Sequence, residues 1–187
     1  MICTTIIGVD EAGRGPLAGP VVASAVILAQ SIPGLNDSKK LSAKKREQLA
    51  HLIQHEAIAF HYGEASIEEI DQLNIHNATL LAMKKAVDGI QHLATEIWVD
   101  GCFAPKTLLP CKTFIKGDSL HACISAASIL AKVKRDSLML EYHEKFPQYG
   151  FASHKGYGTA KHLAALHEHG PSPIHRLSFA PVMQAKK

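Results

Sequence analysis

Residues 6–20 read IIGVDEAGRGPLAGP, in which a short apolar run leads into two adjacent carboxylates and then into a glycine-rich turn. The apolar run over residues 5–9 predicts a buried strand. Such a strand would hold Asp10 and Glu11 rigidly at its end. The glycines at positions 13–15 would let the backbone come close to a large ligand. A plain strand end with a solvated acid pair is the alternative, since loops commonly contain Asp and Gly.

Two isolated acids later in the chain also follow apolar runs, which favours a functional site over the plain alternative. Asp100 comes directly after a predicted strand at 95–99, and Asp118 follows another at 112–115. A long helix is predicted over 119–146, so an N-cap would explain Asp118 on its own.

The chemistry follows if neighbouring strands and the helix start bring these acids to one edge of a sheet. Four crowded carboxylates repel each other unless they take up protons or a cation compensates them. Carboxylate ligands without sulfur or imidazole favour Mg²⁺ or Mn²⁺. Two such ions can activate a water and stabilise a leaving oxygen, which indicates phosphodiester hydrolysis.

Composition limits the class of protein. A chain of 187 residues with 47% hydrophobic content can bury a full core as one domain of ordinary size. We expect a cytoplasmic protein without membrane association, because no apolar run approaches ~20 residues and the features of a signal peptide are missing. The four cysteines contain no C-x-x-C pair and predict reduced thiols rather than a zinc site. A net charge of +3 permits a polyanionic partner without requiring one.

The remaining pattern alternates between strands and helices. A second strand at 20–28 would form a hairpin with the first, and a third is expected at 57–65. Helices are predicted from an N-cap at Ser42 to about 55, from a capping box at 66–69 with a break near Asn74, over 75–93 and over 159–169.

Several residues outside the acids could contact a polyanion. Lys39 and Lys40 could hold phosphate, or could be solvated at the start of a helix. Asn77 lies near a helix start, where a capping role is favoured over a contact with sugar or phosphate. The segment 147–158 interleaves aromatic rings with cations, which suits nucleic acid but also suits a glycine-rich loop over the core.

Longer motifs make the chain similar to a known family. The stretches DEAGRGPLAGPV, NDSKKL, VDG, KGD, SAASILAKVKRD, HKGYGT and HRLSFAPV cover nearly the whole chain. Together they resemble bacterial ribonuclease HII. The resemblance implies a ribonuclease H-like α/β fold, a central mixed β-sheet flanked by helices, with a helical C-terminal extension. It implies a single domain over 1–187, in which about 147–187 forms the substrate-contacting extension.

The resemblance also implies an activity, its cofactors and its site. It implies an endoribonuclease that cuts the RNA strand of RNA/DNA hybrids and incises 5′ of a ribonucleotide embedded in DNA, as ribonucleotide excision repair and DNA replication require. The metal-binding catalytic acids would be Asp10, Glu11, Asp100 and Asp118, with two Mn²⁺ or Mg²⁺ ions during catalysis. By the same similarity, the glycine turn of Gly13, Arg14 and Gly15 recognises the ribose 2′-hydroxyl, and Tyr157 stacks on the adjoining sugar. Further candidates for substrate binding are Lys39, Lys40, Arg46 and Asn77.

Three other functions are possible from the sequence. A hybrid-binding module that does not cut would not need four separate acids. The related ribonuclease HIII carries an extra N-terminal domain, for which the ten residues up to the first acid leave no room. A small-molecule phosphatase would not need a turn that selects a 2′-hydroxyl. We expect a monomer, and the sequence predicts no particular protein partner.

Overall fold

A computed structural model describes residues 5–36, 38 and 41–185. Within these residues the chain forms a mixed five-stranded sheet in the order β3-β2-β1-β4-β5. The strands are β1 Ile6–Ala12, β2 Val21–Leu28, β3 Ala57–Ala65, β4 Glu96–Asp100 and β5 Cys111–Phe114. β2 pairs antiparallel with β1 and β3, whereas β4 pairs in parallel with β1 and β5. The strand that carries Asp10 and Glu11 therefore lies at the centre of the sheet.

Helices cover both faces of this sheet. They are α1 Ala43–Glu56, α2 Ile67–Asp88, α3 Gly117–Leu120, α4 Ala122–Lys145, α5 Phe151–His154, α6 Ala160–His169 and α7 Ala180–Gln184. Side chains alternate across each strand, so Ile7 and Val9 pack against α2 in one core, while Val26 packs against α1 and α4 in another. α4 lies directly on β1, because a Cβ on Gly8 would sit 2.1 Å from the backbone of Cys123.

Most of the predicted elements are confirmed. The first two strands form the expected hairpin. Ser42 caps α1, and the capping box at Ser66 and Glu69 starts α2. The expected break in α2 falls at Asn74, whose φ of 67° is left-handed. No helix in the described ranges is long and apolar enough to cross a bilayer.

Several boundaries differ from the sequence prediction. β1 does not stop before the acids, because its pairing with β2 continues through Asp10, Glu11 and Ala12. The helix expected over 75–93 ends at Asp88, and a separate 3-10 turn follows. The helix expected over 119–146 is interrupted at His121, whose extended backbone (φ −127°, ψ 122°) separates α3 from α4.

The C-terminal part packs on the loop that follows the glycine turn. The amide of Leu17 donates to the carbonyl of Gly156 at 2.8 Å, and the amide of Arg176 donates to the carbonyl of Leu17 at 2.9 Å. Ala18 and His175 form an isolated antiparallel bridge. These backbone bonds place Tyr157 and Arg176 next to a turn more than 140 residues earlier in the chain.

Candidate active site

The ends of β1 and β4 bring together three of the four acids predicted to act together. Val9 pairs with Val99 in parallel register, so Asp10 and Asp100 follow as the next residues of neighbouring strands. Alternation along β1 directs Asp10 to the face covered by α4 and Glu11 to the face covered by α2. We call Asp10, Glu11 and Asp100 the acid cluster.

Negative charge is crowded and buried in the acid cluster. Burial raises the pKa of Asp10 well above its ordinary value, and the charges of Glu11 and Asp100 raise this pKa further. Burial also raises the pKa of Glu11, while the nearby Arg14 opposes that shift. The Nη1 atom of Arg14 lies 3.6 Å from Oε1 of Glu11, and this arginine is about half exposed. The arrangement therefore favours protons or a bound cation.

Asp118 is tied to the acid cluster through its backbone. Oδ1 of Asp100 accepts the amide of Gly117 at 2.7 Å, so the residue before Asp118 is held at the end of β4. A Cβ on Gly117 would lie 2.7 Å from Cδ1 of Ile124, which explains the glycine at this crowded point. Asp118 lies in α3 and not at the N-cap of a long helix. Its side chain is buried and lines an adjacent cleft of about 370 Å³ with residues 31–36.

The donor set fits a hard divalent cation. All four predicted ligands are carboxylates, the groups that Mg²⁺ and Mn²⁺ prefer. Burial, and then the charges of Glu11 and Asp100, raise the pKa of Asp10, so a bound cation would stabilise its ionised form. Across residues 5–36, 38 and 41–185, no three such side chains are already close enough to hold one ion. The backbone brings Asp10, Glu11 and Asp100 to the ends of neighbouring strands, and an ion would have to draw the carboxylate oxygens together.

The glycine turn borders the same cleft as Asp10 and Glu11. This cleft of about 280 Å³ is lined by both acids, the glycine turn, Ser38, Ser128, Lys132 and Tyr157. The ring of Tyr157 covers the turn, because a Cβ on Gly15 would lie 3.6 Å from its Cε1 atom. Tyr157 is 46% exposed, so a flat face of its ring is available at the mouth of the cleft. The turn, the ring and two acids therefore form one continuous surface.

A larger cleft of about 410 Å³ lies elsewhere, beside Trp98, Leu120 and Cys123. The described residues that line it include no carboxylate and no lysine or arginine. Size therefore does not mark the site of the chemistry in this molecule.

Outside the glycine turn, the structure describes only one of the three basic residues predicted to bind substrate, Arg46. Nη1 of Arg46 donates to the carbonyls of Ser38 and Leu41 at 2.7 and 2.6 Å, so this atom holds a loop. Lys39 and Lys40 lie outside the described residues. Lys132, for which no role was predicted, lines the cleft and pairs with Asp136 at 2.7 Å.

The predicted cap at Asn77 is wrong. Oδ1 of Asn74 accepts the amides of His76 and Asn77 at 3.0 and 3.2 Å, so Asn74 caps the second half of α2. The amide side chain of Asn77 donates instead to the carbonyl of Leu73 at 3.1 Å. Asn77 is exposed, and its contact with substrate stays a prediction.

Two buried arginines near the glycine turn were missed from the sequence. Arg135 and Arg176 are 1% and 0% exposed. Burial lowers the pKa of Arg135 to about 10, while burial and then the charge of Arg135 lower that of Arg176 to about 9. Their hydrogen bonds go to backbone carbonyls in the described part of the chain. Both occur in family-like motifs, KVKRD and HRLSF, but a buried arginine without an acid partner has no signature in sequence.

A mixed five-stranded sheet flanked by helices, in the order β3-β2-β1-β4-β5, is a ribonuclease H-like fold. Ribonuclease H2 from Pyrococcus horikoshii OT3 superposes with a TM-score of 0.80 at 23% identity and covers 97% of both chains. RNase HII of Archaeoglobus fulgidus, in a complex with PCNA, gives 0.79 at 24% identity with the same coverage. Bst-RNase HIII in complex with Mn²⁺ gives 0.76 at 15% identity, covering 97% of this chain and 69% of that one. At these identities the likeness shows the fold.

Sequence relatives give the family. The profile described as Ribonuclease HII matches residues 7–182. Ribonuclease HII of Burkholderia lata is 58% identical over 182 residues, 96% of this chain and 85% of its own length. That of Desulforamulus reducens is 55% identical over 179 residues, 95% and 90% of the two chains. This chain belongs to the ribonuclease HII family, whose members are divalent-metal-dependent endoribonucleases that act on RNA/DNA hybrids.

Proposed function

We propose that this endoribonuclease cuts on the 5′ side of ribonucleotides, both in RNA/DNA hybrids and at a single ribonucleotide in duplex DNA. The observation that carries the proposal is the shared cleft, in which Asp10 and Glu11 lie beside the glycine turn and Tyr157. A phosphate held at the acids would have its adjoining sugar at the turn. Cleavage by water would leave a 3′-hydroxyl and a 5′-phosphate.

Asp10, Glu11, Asp100 and Asp118 would hold the metal ions, which we propose to be two Mg²⁺ or Mn²⁺ ions. When bound, such ions activate a water and stabilise the leaving oxygen. The protein places three of the carboxylates at one sheet edge and holds Asp100 through Gly117. The raised pKa of Asp10 supports this role, because a cation would offset both the burial of its charge and the repulsion from Glu11 and Asp100. A ribonuclease HIII with a similar fold binds Mn²⁺.

The glycine turn would recognise RNA through its backbone. A 2′-hydroxyl both donates and accepts hydrogen bonds, so amides and carbonyls bared by glycine suit its recognition. The ring of Tyr157, packed against Gly15, would stack on the adjoining sugar. Arg14 is exposed at the same cleft and would contact phosphate.

The remaining candidates would act on the flanking strands. Lys39 and Lys40 would hold phosphates, with an affinity that falls as salt rises. Arg46 would hold the chain at Ser38 and Leu41, and Asn77 would contact sugar or phosphate from the exposed start of the second half of α2. We further propose one domain whose residues 147–187 form a substrate-contacting extension, and a cytoplasmic monomer.

A labelled DNA duplex with one ribonucleotide tests the proposal, with an all-DNA duplex as the control. With Mg²⁺ or Mn²⁺ we expect one cut on the 5′ side of the ribonucleotide and no cut in the control. Analysis of the product ends should give a 3′-hydroxyl and a 5′-phosphate. Ends with a 2′,3′-cyclic phosphate would contradict the proposal, since they require the 2′-hydroxyl as nucleophile.

A further inference from the structure

Arg176 contacts the glycine turn from the protein interior. Its guanidinium donates to the carbonyl oxygens of Gly13 and Arg14 at 2.5 and 3.0 Å. It also donates to the carbonyls of Gly19 and Pro20 at 2.9 and 3.3 Å. The side chain is fully buried and does not line the cleft. Two successive peptide groups of the turn are thus held by one planar group.

The directions of the two carbonyls also fix the directions of the amides that follow them in the turn. The described chain has no cis peptide bond, and in a trans peptide the C=O and the following N–H point in opposite directions. Because the carbonyls of Gly13 and Arg14 point at Arg176, the amides of Arg14 and Gly15 point away from it. Among the hydrogen bonds of the described residues, none uses either amide. Two neighbouring donors are therefore available on the side opposite Arg176.

We propose that Arg176 is a positioning residue for ribonucleotide recognition, which fixes the amides of Arg14 and Gly15 so that they face the cleft and meet the ribose. The inference rests on the proposed role of the glycine turn. Arginine suits this task because its rigid fork holds two carbonyls at once, which the single ammonium of lysine does not. A charged donor also polarises the peptides it binds, and polarisation strengthens their N–H groups as donors.

The chain next to Arg176 is held by Asp71, an acid in α2. The carboxylate of Asp71 in α2 accepts the amides of Leu177 and Ser178, each at 2.9 Å, and the Ser178 hydroxyl at 2.6 Å. The chain just after Arg176 is thereby anchored to α2, the helix on the face of the sheet to which Glu11 points. Asp71 thus offers a milder way to disturb Arg176 without changing the buried core.

A purely structural role for Arg176 is the competing explanation, and Arg135 provides the matched control. Arg135 is equally buried and donates to the carbonyls of Ala18, Pro20 and Lys155 at 3.0, 3.1 and 3.0 Å. None of these three carbonyls belongs to the glycine turn, which Arg135 contacts only by packing against Gly13. A lysine at either position keeps the positive charge but lacks the planar guanidinium that donates to several carbonyls at once.

The test measures discrimination rather than activity. Dissociation constants in EDTA are determined for two duplexes that differ in one 2′-hydroxyl, and their ratio does not depend on the folded fraction. We expect Arg176→Lys to lower the ratio by about tenfold, because two fixed hydrogen bonds are lost. Arg135→Lys should keep the wild-type ratio even though its melting temperature falls. The inference is overturned if folded Arg176→Lys keeps the wild-type ratio, or if Arg135→Lys lowers it equally.

If Arg176→Lys does not fold, Asp71→Ala tests the positioning role of Arg176 instead. This variant should keep the melting temperature within a few degrees and lower the ratio about threefold. An unchanged ratio in Asp71→Ala would then overturn the role of Arg176. A wild-type ratio near one would instead contradict recognition by the glycine turn, and so would remove the proposed function on which the inference rests.

Discussion

The two sides of the cleft are held in opposite ways. The acid cluster lies at a buried position, where burial and then the charges of Glu11 and Asp100 raise the pKa of Asp10. The glycine turn is supported by buried positive charge, since the guanidinium of Arg176 is satisfied by backbone carbonyls. On the proposed function, the acid side needs a bound cation, whereas the proposed recognition side is held in place by the protein's own hydrogen bonds. Catalytic chemistry and sugar recognition should respond differently to the same perturbation.

A chain of neutral histidines extends the preorganised side to Tyr157. Nδ1 of His175 accepts the amide of Ser172 at 2.9 Å, so its Nε2 carries the proton. That Nε2 lies 3.0 Å from Nε2 of His162, whose Nδ1 then donates to the carbonyl of Tyr157 at 2.9 Å. Each bond fixes the tautomer needed by the next. The backbone of Tyr157 is thus held without any metal ion.

The largest effect is expected when one acid is removed, because cleavage and stability should then change in opposite directions. Asp10→Asn should lower cleavage by about 10³-fold or more, because ions lose a ligand worth several kcal/mol to the transition state. The same change should raise the free energy of unfolding by on the order of 1 kcal/mol, since a buried repulsive charge disappears. Cleavage assays and urea unfolding measure the two effects. Asp88→Asn, an exposed acid paired with Lys84, should change neither.

The two glycines of the turn allow recognition to be broken without breaking the fold. A methyl group at Gly15 would meet Cε1 of Tyr157 at an ordinary 3.6 Å, so Gly15→Ala should fold normally. Cleavage of the single-ribonucleotide duplex should fall about 100-fold, because the methyl group displaces the sugar from the turn. Melting curves and kcat/KM test both statements. An active Gly15→Ala enzyme would place the sugar elsewhere.

Gly13→Ala supplies the contrast. Its φ of 102° disfavours any side chain, and a Cβ would lie 2.1 Å from Nε of Arg135. This variant should lose stability by several kcal/mol as well as activity. A shared loss of activity, with a loss of stability in Gly13→Ala alone, would show that Gly13 supports the turn from inside while Gly15 faces the substrate.

Acid should weaken the recognition side. Burial, then the charge of His162, lowers the pKa of His175 from 6.5 to about 4. Between these values the unfolded chain binds a proton that the folded chain does not, so stability falls as pH drops from 6.5 towards 4. The loss should approach about 3 kcal/mol, at 1.36 kcal/mol per pKa unit. Urea unfolding at pH 7, 5.5 and 4.5 measures it. His175→Gln should flatten this dependence, and the exposed His55→Gln should not.

Local sequence patterns predicted the sheet and the acid edge, because apolar runs and capping residues act over a few positions. Ser42 and the capping box at Ser66 and Glu69 are such local signals. The break at His121 was missed because residues 119–146 favour a helix throughout, and packing against the strand ends overrides that preference. Asn77 was chosen as a cap over Asn74, since the left-handed backbone that lets Asn74 cap has no sequence marker.

The supports of the glycine turn were beyond local patterns for a different reason. Arg176 contacts Gly13 across more than 160 residues, and its partners are carbonyls that every residue possesses. Side-chain identity therefore says nothing about which backbone groups a buried arginine will bind. The family-like motifs contain both arginines but indicate no role for either, because the contact between Arg176 and the turn exists only in the folded chain.

The smallest effect is expected for Arg46→Ala. This variant distinguishes a residue that orders the chain from one that binds phosphate. Arg46→Ala should raise KM by a few fold without changing the salt dependence of binding, because its Nη1 atom already donates to the carbonyls of Ser38 and Leu41. Lys39→Ala should instead reduce the slope of log K against log salt by about 1, as expected for one lost phosphate contact. Titrations at several salt concentrations compare the two. A reduced slope in Arg46→Ala would show that its guanidinium leaves the loop to bind phosphate, so that this part of the recognition side forms with the substrate.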